Sequence, residues 1–464
     1  MKKHTPHWIL WSVTSILLAT FLYYLLVLGE DKTALMPGPL NDGHHQLADN
    51  CAACHKSPFG GGEVLQESCI ECHGEERVKP HDSHPQNKFK DPRNADLLSK
   101  IDALSCTTCH TEHTPEITHK NGVTQPVDFC VHCHQDVGLD RVTHKNLEFD
   151  SCANAGCHNF HNNRAIYTDF LVKHLDKPDL LERHRIKPRE FSSVLDELME
   201  YPHAQYPVQE LLTKDIDQPE QLNVSEGIIN EWAASGHAKS GVNCSACHTE
   251  DKKPETWSNE VDHQDCNTCH NLEVQRFQQG KHGMRLAADL PAMKVKDARL
   301  PMHAESGHKE LDCNSCHTGH DYNSVSAATE ACLSCHNDEH SQNYTASPHA
   351  QLWQAEVMGE AKPNTGVSCA SCHMPRISYD VNDWVTRIMV DHNQSANLAP
   401  NSKMARSVCM NCHGLDFSLK ALSDAKQITS NFAFSPEQQE HPSMQLARRD
   451  NERYLRETSG DQSR

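Results

Sequence analysis

The chain has 464 residues, 22 of them Cys and 35 His, with aromatics at 6% and a formal net charge of −20. Such acidity excludes the basic face that nucleic-acid binding needs. The hydrophobic fraction of 37% counts the Cys, so little apolar surface remains for a large core; the chain is partly disordered or a non-protein group fills its interior.

Residues 1–29 begin with the basic run Met1-Lys2-Lys3-His4, followed by an uncharged apolar stretch from Trp8 to Gly29. About 20 such residues suffice for one transmembrane helix, and Lys2 and Lys3 keep its start cytoplasmic. A cleaved signal peptide, with Val27 and Gly29 at the cut, is the competing reading, although its apolar region usually runs only about 7–15 residues. Either way the Cys-rich part is expected in the periplasm, in the first case held on the inner (cytoplasmic) membrane.

Residues 30–43 read as a linker broken by Met36-Pro37-Gly38-Pro39. Residues 44–165 carry five Cys motifs, 166–230 none, and 231–415 six; 416–464 form a polar tail. The Cys-free stretch has helical periodicity over Phe191, Val194, Leu195 and Leu198, making it a haem-free helical connector. The tail is expected to be helical from Gln439 to Glu457.

All Cys fall into one repeat. Ten copies read Cys-x-x-Cys-His: Cys51, Cys54 and His55; Cys69, Cys72 and His73; Cys106, Cys109 and His110; Cys130, Cys133 and His134; Cys244, Cys247 and His248; Cys266, Cys269 and His270; Cys313, Cys316 and His317; Cys332, Cys335 and His336; Cys369, Cys372 and His373; Cys409, Cys412 and His413. An eleventh, Cys152, Cys157 and His158, is stretched to four intervening residues. Two thiols so spaced bond the vinyl groups on one porphyrin edge, and the following His lies under the iron as proximal ligand. Zinc ribbons and disulfide frameworks require no His there. The expected cofactors are therefore eleven covalent c-type haems. At one haem per roughly 42 residues the haems themselves are the core. The expected fold is mainly α and irregular, a haem-cored multihaem cytochrome c with little β-sheet and one N-terminal transmembrane helix.

Eleven sixth ligands are then needed. Setting aside His4 and His7 with the motif histidines leaves 22 candidates. Context favours His44, His113, His119, His144, His161, His174, His237, His263, His282, His320, His349 and His392 as distal ligands: several lie three residues from a motif, others in segments of helical character. Two His ligands close an iron to substrate, as electron transfer requires, whereas Met would raise its potential. Met284, Met293 and Met302 are read as packing residues.

The segment from Trp232 to about Asp424 resembles the octahaem hydroxylamine oxidoreductase and multihaem nitrite reductase superfamily. The likeness rests on Trp232-Ala-Ala-Ser-Gly-His237, Asp262-His263, Cys313-Asn-Ser-Cys-His-Thr-Gly-His320, Tyr344-Thr-Ala-Ser-Pro-His349 and Asp391-His392. The family's catalytic haem motif, which precedes the one like Cys313–His317, has no counterpart in Glu305–Asp312, so the resemblance implies a lost catalytic haem. Glu339-His340 stands where the family has an acid–His pair over that haem. The first half, His44 to about His174, resembles the periplasmic cytochrome c3 family through Gly38-Pro-Leu40, His44, Cys51-Ala-Ala-Cys-His55 and Cys106-Thr-Thr-Cys-His-Thr-Glu-His113. That resemblance implies bis-His haems and electron relay.

The functional expectation is a membrane-anchored electron conduit between a membrane quinol-oxidising partner and soluble cytochromes or a terminal reductase, without nucleic acid. The alternative is an oxidoreductase acting on a small nitrogen or sulfur species at one open haem.

Overall fold

A Cys-x-x-Cys-His run is one helical turn closed on itself. The His N–H reaches back to the carbonyl of the first Cys in seven motifs, from His55 on Cys51 (2.7 Å) to His413 on Cys409 (2.8 Å). That bond puts the two sulfurs on one face of the turn, with the His ring beside them. Side chains cap several turns: Asn50 accepts from the Ala53 N–H and Asp312 from that of Cys313, while Ser368 and Ser371 cap each other's backbone.

This computed structural model describes residues 5–29, 35–57, 62–78, 91–99, 101–119, 122–126, 129–141, 144–145, 160–161, 168–187, 209–249, 256–382, 385–398, 401–437 and 439–461. The motif Cys152, Cys157 and His158 and the periodic run Phe191–Met199 lie outside them. The chain divides into two compact units: Met1–Asp136 with Glu148–Asp150 and Phe160–Asn162, and the remainder to Arg464.

In the first unit, α1 spans Thr5–Tyr23 and runs on as a π-turn, Tyr24–Leu28. Its large side chains, Trp8, Ile9, Leu10 and Trp11 among them, are exposed. Among the described residues no helix is long and apolar enough to cross a membrane. The expectation of a spanning N-terminal helix is therefore unsupported. Polar Ser12, Thr14, Ser15 and Thr20 interrupt the apolar run of α1. The helix α2, Gly62–Val78, contains the second motif. Buried Asn41 ties the segment before the first motif to the third: its N–H donates to Glu112 and its amide to the Thr111 carbonyl. Gly38 packs so close that a Cβ there would lie 2.6 Å from the His113 carbonyl oxygen, and His113 itself sits at φ 63°.

In the second unit the helices include α3 (Thr168–Lys173), α4 (Glu226–Ala234), α5 (His263–Gln279), α6 (Glu339–Tyr344), α7 (Pro348–Val357), α8 (Lys403–Ser407), α9 (Leu415–Ser423), α10 (Ala425–Thr429) and α11 (Pro442–Asp461), with shorter turns between them. One antiparallel hairpin, β1 (Arg376–Asn382) and β2 (Val385–Val390), is the sheet, so the mainly helical and irregular fold is as expected. Leu171 and Leu175 pack with Met404, Ala405, Leu415, Leu419, Leu422, Met444 and Ala447. Thus the tail helix α11 is not wholly exposed: its first turns enter the core. Met293 is buried as a packing residue.

Candidate haem sites

Eight motif histidines each face a second histidine at nearly one spacing. In the first unit His73 faces His44 and His110 faces His161, with ring centroids 5.9 and 6.2 Å apart. In the second, His270 faces His237 (6.1 Å), His248 faces His320 (6.3 Å), and His336 faces His282 (6.2 Å). The other three there are His317 with His392 (6.4 Å), His373 with His340 (6.1 Å) and His413 with His349 (6.3 Å). The interplanar angles meanwhile range from 18° to 76°. Ordinary ring packing prefers particular relative orientations. A fixed distance with a free twist is what one metal between two rings imposes: two metal–nitrogen bonds of about 2.0 Å plus the ring radii give about 6 Å.

The ring nitrogens are oriented for this. Nδ1 of His110, His248, His392 and His413 donates to the carbonyls of Gly122, Ser258, Val390 and Asp179. His340 Nδ1 likewise donates to Ile428, and His44 Nδ1 to the Glu112 carboxylate at 2.6 Å. A proton fixed on Nδ1 leaves the Nε2 lone pair for a metal, the usual outer-shell arrangement. The Asn431 amide bonds the His340 carbonyl at 3.1 Å and approaches its Nε2 at 3.4 Å.

Helix starts present three of the facing histidines. Buried Ser235 caps Gly236–Lys239, buried Ser347 caps α7 and Asp338 caps α6. His237, His349 and His340 each come two residues after that cap. His340 was outside the expected distal set; a capping Ser or Asp followed two residues later by His is the signal that finds it. A buried fork from Arg276 on α5 to Asp391, at 2.8 and 2.7 Å, holds the strand end that carries His392.

The remaining expected ligands lie elsewhere. His113 donates from Nδ1 to the Gly38 carbonyl, and His263 lies 3.9 Å from the Asp312 carboxylate in the first turn of α5. His119 closes a backbone turn with Val123, and His144 one with Arg141. His174 packs on Phe170, and burial with the nearby cations Lys173, Lys177, Arg185 and Arg406 holds its ring below the usual imidazole range. None of His113, His119, His174 and His263 faces a motif ring among the described residues. The motif histidines outside the eight pairs are His55, His134 and His158.

The thiols suit thioethers rather than thiolates. Burial pushes Cys372 and Cys409 up to about 12, and Cys244 and Cys316 to about 11. A metal-binding thiolate needs the opposite shift, whereas a thioether carries no charge to bury. Successive motifs also lie within electrostatic reach of one another. The thiol of Cys266 lies near that of Cys313, and the thiol of Cys332 near that of Cys369. Cys247 lies beside Cys266, Cys316 beside Cys332, and Cys372 beside Cys409. The six motifs of the second unit thus neighbour one another in chain order.

A family model described as cytochrome c3 matches residues 43–135 and 236–337. This is a multihaem c-type cytochrome. Covalent c-type haems and electron transfer are its general chemistry. The second matched stretch falls inside Trp232 to about Asp424, and the likeness found there is to cytochrome c3. No curated protein and no solved structure matches the chain. The residues fit the cofactor: Cys pairs on one face of a turn, a neutral His beside them, and a second His one iron away. When bound, haem supplies one-electron exchange between ferric and ferrous iron; the chain supplies ligation, spacing and burial.

Proposed function

We propose that this multihaem cytochrome binds eleven haems and works as an electron relay, with both axial positions taken by His in the second unit. One observation carries the reading: all six motif histidines from His248 to His413 have a facing histidine. Six-coordinate iron exchanges electrons and offers no position to substrate. The alternative, an oxidoreductase of a small nitrogen or sulfur species, needs an open iron. Its best candidate group, the Glu339-His340 pair, has His340 turned toward His373. In this reading residues 232–424 are a scaffold of the hydroxylamine oxidoreductase kind without its catalytic haem.

The relay works outside the cytoplasm, at the outer face of the cytoplasmic membrane, with the exposed apolar side chains of α1 in lipid. A quinol-oxidising membrane protein supplies the electrons, and soluble cytochromes or a terminal reductase receive them. Mixing the dithionite-reduced holoprotein with an oxidised small soluble cytochrome tests the relay. Transfer of close to eleven electrons per chain supports it; a protein that gives none to the cytochrome but spends them reducing nitrite or hydroxylamine catalytically contradicts it.

A further inference from the structure

Two aromatic residues of the second unit stand in a backbone conformation that side chains of their size rarely adopt. Tyr322 has φ 48° and Phe432 has φ 57°. For a bulky residue a left-handed φ is an outlier, and it persists only where the surroundings hold it. Helices commonly end through such a turn with Gly or Asn. Asn431, at φ 52° just after α10, fits that pattern; Phe432 does not. The Phe432 N–H donates to the Gln427 carbonyl at 2.7 Å, and the Asn431 amide donates to the His340 carbonyl at 3.1 Å, so both residues of the corner are tied down.

Both rings reach the same kind of place. Each stands edge-on to the facing histidines of two motifs that follow one another in the chain. Tyr322 meets His237 at 4.7 Å and 84°, and His320 at 6.5 Å and 70°. Phe432 meets His340 at 6.5 Å and 88°, and His349 at 6.2 Å and 60°. Edge-on contact is a preferred aromatic geometry, so it restricts the plane of the ring it touches.

The ring planes sort by these contacts. In the second unit three pairs cross steeply: His237 with His270 at 75°, His340 with His373 at 76°, and His349 with His413 at 70°. All three have a facing ring against Tyr322 or Phe432. The two pairs with no such contact among the described residues, His282 with His336 and His392 with His317, lie at 37° and 35°. The fourth contacted pair, His320 with His248, lies at 18°. There Trp257 stacks on His248 at 4.8 Å and 7°, so the opposite plane is fixed as well. Phe432 also leans on the apolar cluster around Leu419, which accounts for its burial but not for its backbone. Tyr322 has no part in that cluster.

We infer that Tyr322 and Phe432 are positioning residues: each holds the planes of the facing histidines at two successive haem sites, and together they set the steep crossing of the His270, His373 and His413 pairs. The inference rests on the relay proposed above, in which these pairs ligate iron. Axial ligation tunes a haem iron. Steeply crossed imidazole planes give a ferric iron a strongly anisotropic low-spin resonance, whereas planes closer to parallel give a rhombic one.

The test is electron paramagnetic resonance of the full-length ferric holoprotein, with haem counted by pyridine haemochrome and midpoints read by redox titration. The parent shows strongly anisotropic low-spin resonances. Phe432→Leu keeps an apolar side chain against the cluster; two of those resonances turn rhombic and two midpoints move. Tyr322→Leu, outside the cluster, turns one. Phe432→Tyr and Tyr322→Phe, which keep the ring, match the parent. In all four variants the haem count holds and every haem that is low-spin in the parent stays so. A parent that is low-spin without any strongly anisotropic resonance overturns the inference, as do Leu variants with parent spectra. Leu variants that lose haem or broaden all resonances together also overturn it, because the rings then serve general packing. A parent that is short of haem, or high-spin throughout, sinks the relay reading itself and is seen before any variant is made.

Discussion

His340 and His373 face one another with ring centroids 6.1 Å apart, although His340 opens α6 and His373 closes the turn of another motif. In the proposed relay this pair serves ligation rather than catalysis. His340→Ala opens that iron. The expected result is loss of roughly one-eleventh of the low-spin signal and a new high-spin haem that binds cyanide, with the haem count unchanged. Unaltered spectra in this variant mean that His340 ligates nothing.

The Arg276–Asp391 fork is a structural pair. Its side chains are 16% and 5% exposed, so removing one partner strands a buried charge. Arg276→Ala should cost about 3–5 kcal/mol, read from the denaturant midpoint. It should also loosen His392 and broaden the spectrum of the haem shared with His317. A cost under about 1 kcal/mol marks the fork as a surface pair.

Leu419 is fully buried in the contact of α9 with α3, α8 and α11. Leu419→Ala removes about 2–5 kcal/mol, measured by thermal or denaturant unfolding. This small apolar cluster is the main protein-only core of the second unit, so an effect within about 0.5 kcal/mol indicates that haem packing alone sets its stability.

The row of motifs predicts a break. Cys332→Ser/Cys335→Ser removes the fourth of six sites, leaving three on one side and two on the other. The reduced parent should discharge to an oxidised soluble cytochrome in one fast phase, and the variant in a fast phase followed by a slow one. Unchanged single-phase kinetics mean that the electrons travel by another route.

The Cys-x-x-Cys-His turns were legible because covalent chemistry fixes their spacing within five residues; the stretched Cys152–His158 copy lies outside the described residues. The helical, sheet-poor fold followed from the same fact, since haems replace the apolar core. The facing histidines were harder to read. His317 meets His392 across 75 positions, which no local pattern encodes. Proximity to a motif did not separate them: His161 and His320 each face a motif ring, whereas His263 lies beside Asp312 and His113 donates to Gly38. His237, His340 and His349 share a local cue, the capping Ser or Asp two residues earlier, because a helix start fixes where the ring points. The N-terminal segment reads as a membrane span by apolar content, but no described helix is long and apolar enough to cross a membrane.

The most direct test is electron paramagnetic resonance of the oxidised, purified holoprotein, with haem counted by pyridine haemochrome and spectra repeated with nitrite, hydroxylamine and cyanide. The relay account predicts eleven haems, with every haem of the second unit low-spin and unmoved by these ligands. A count well short of eleven, or a second-unit haem that is high-spin and shifts with nitrite or hydroxylamine, contradicts it.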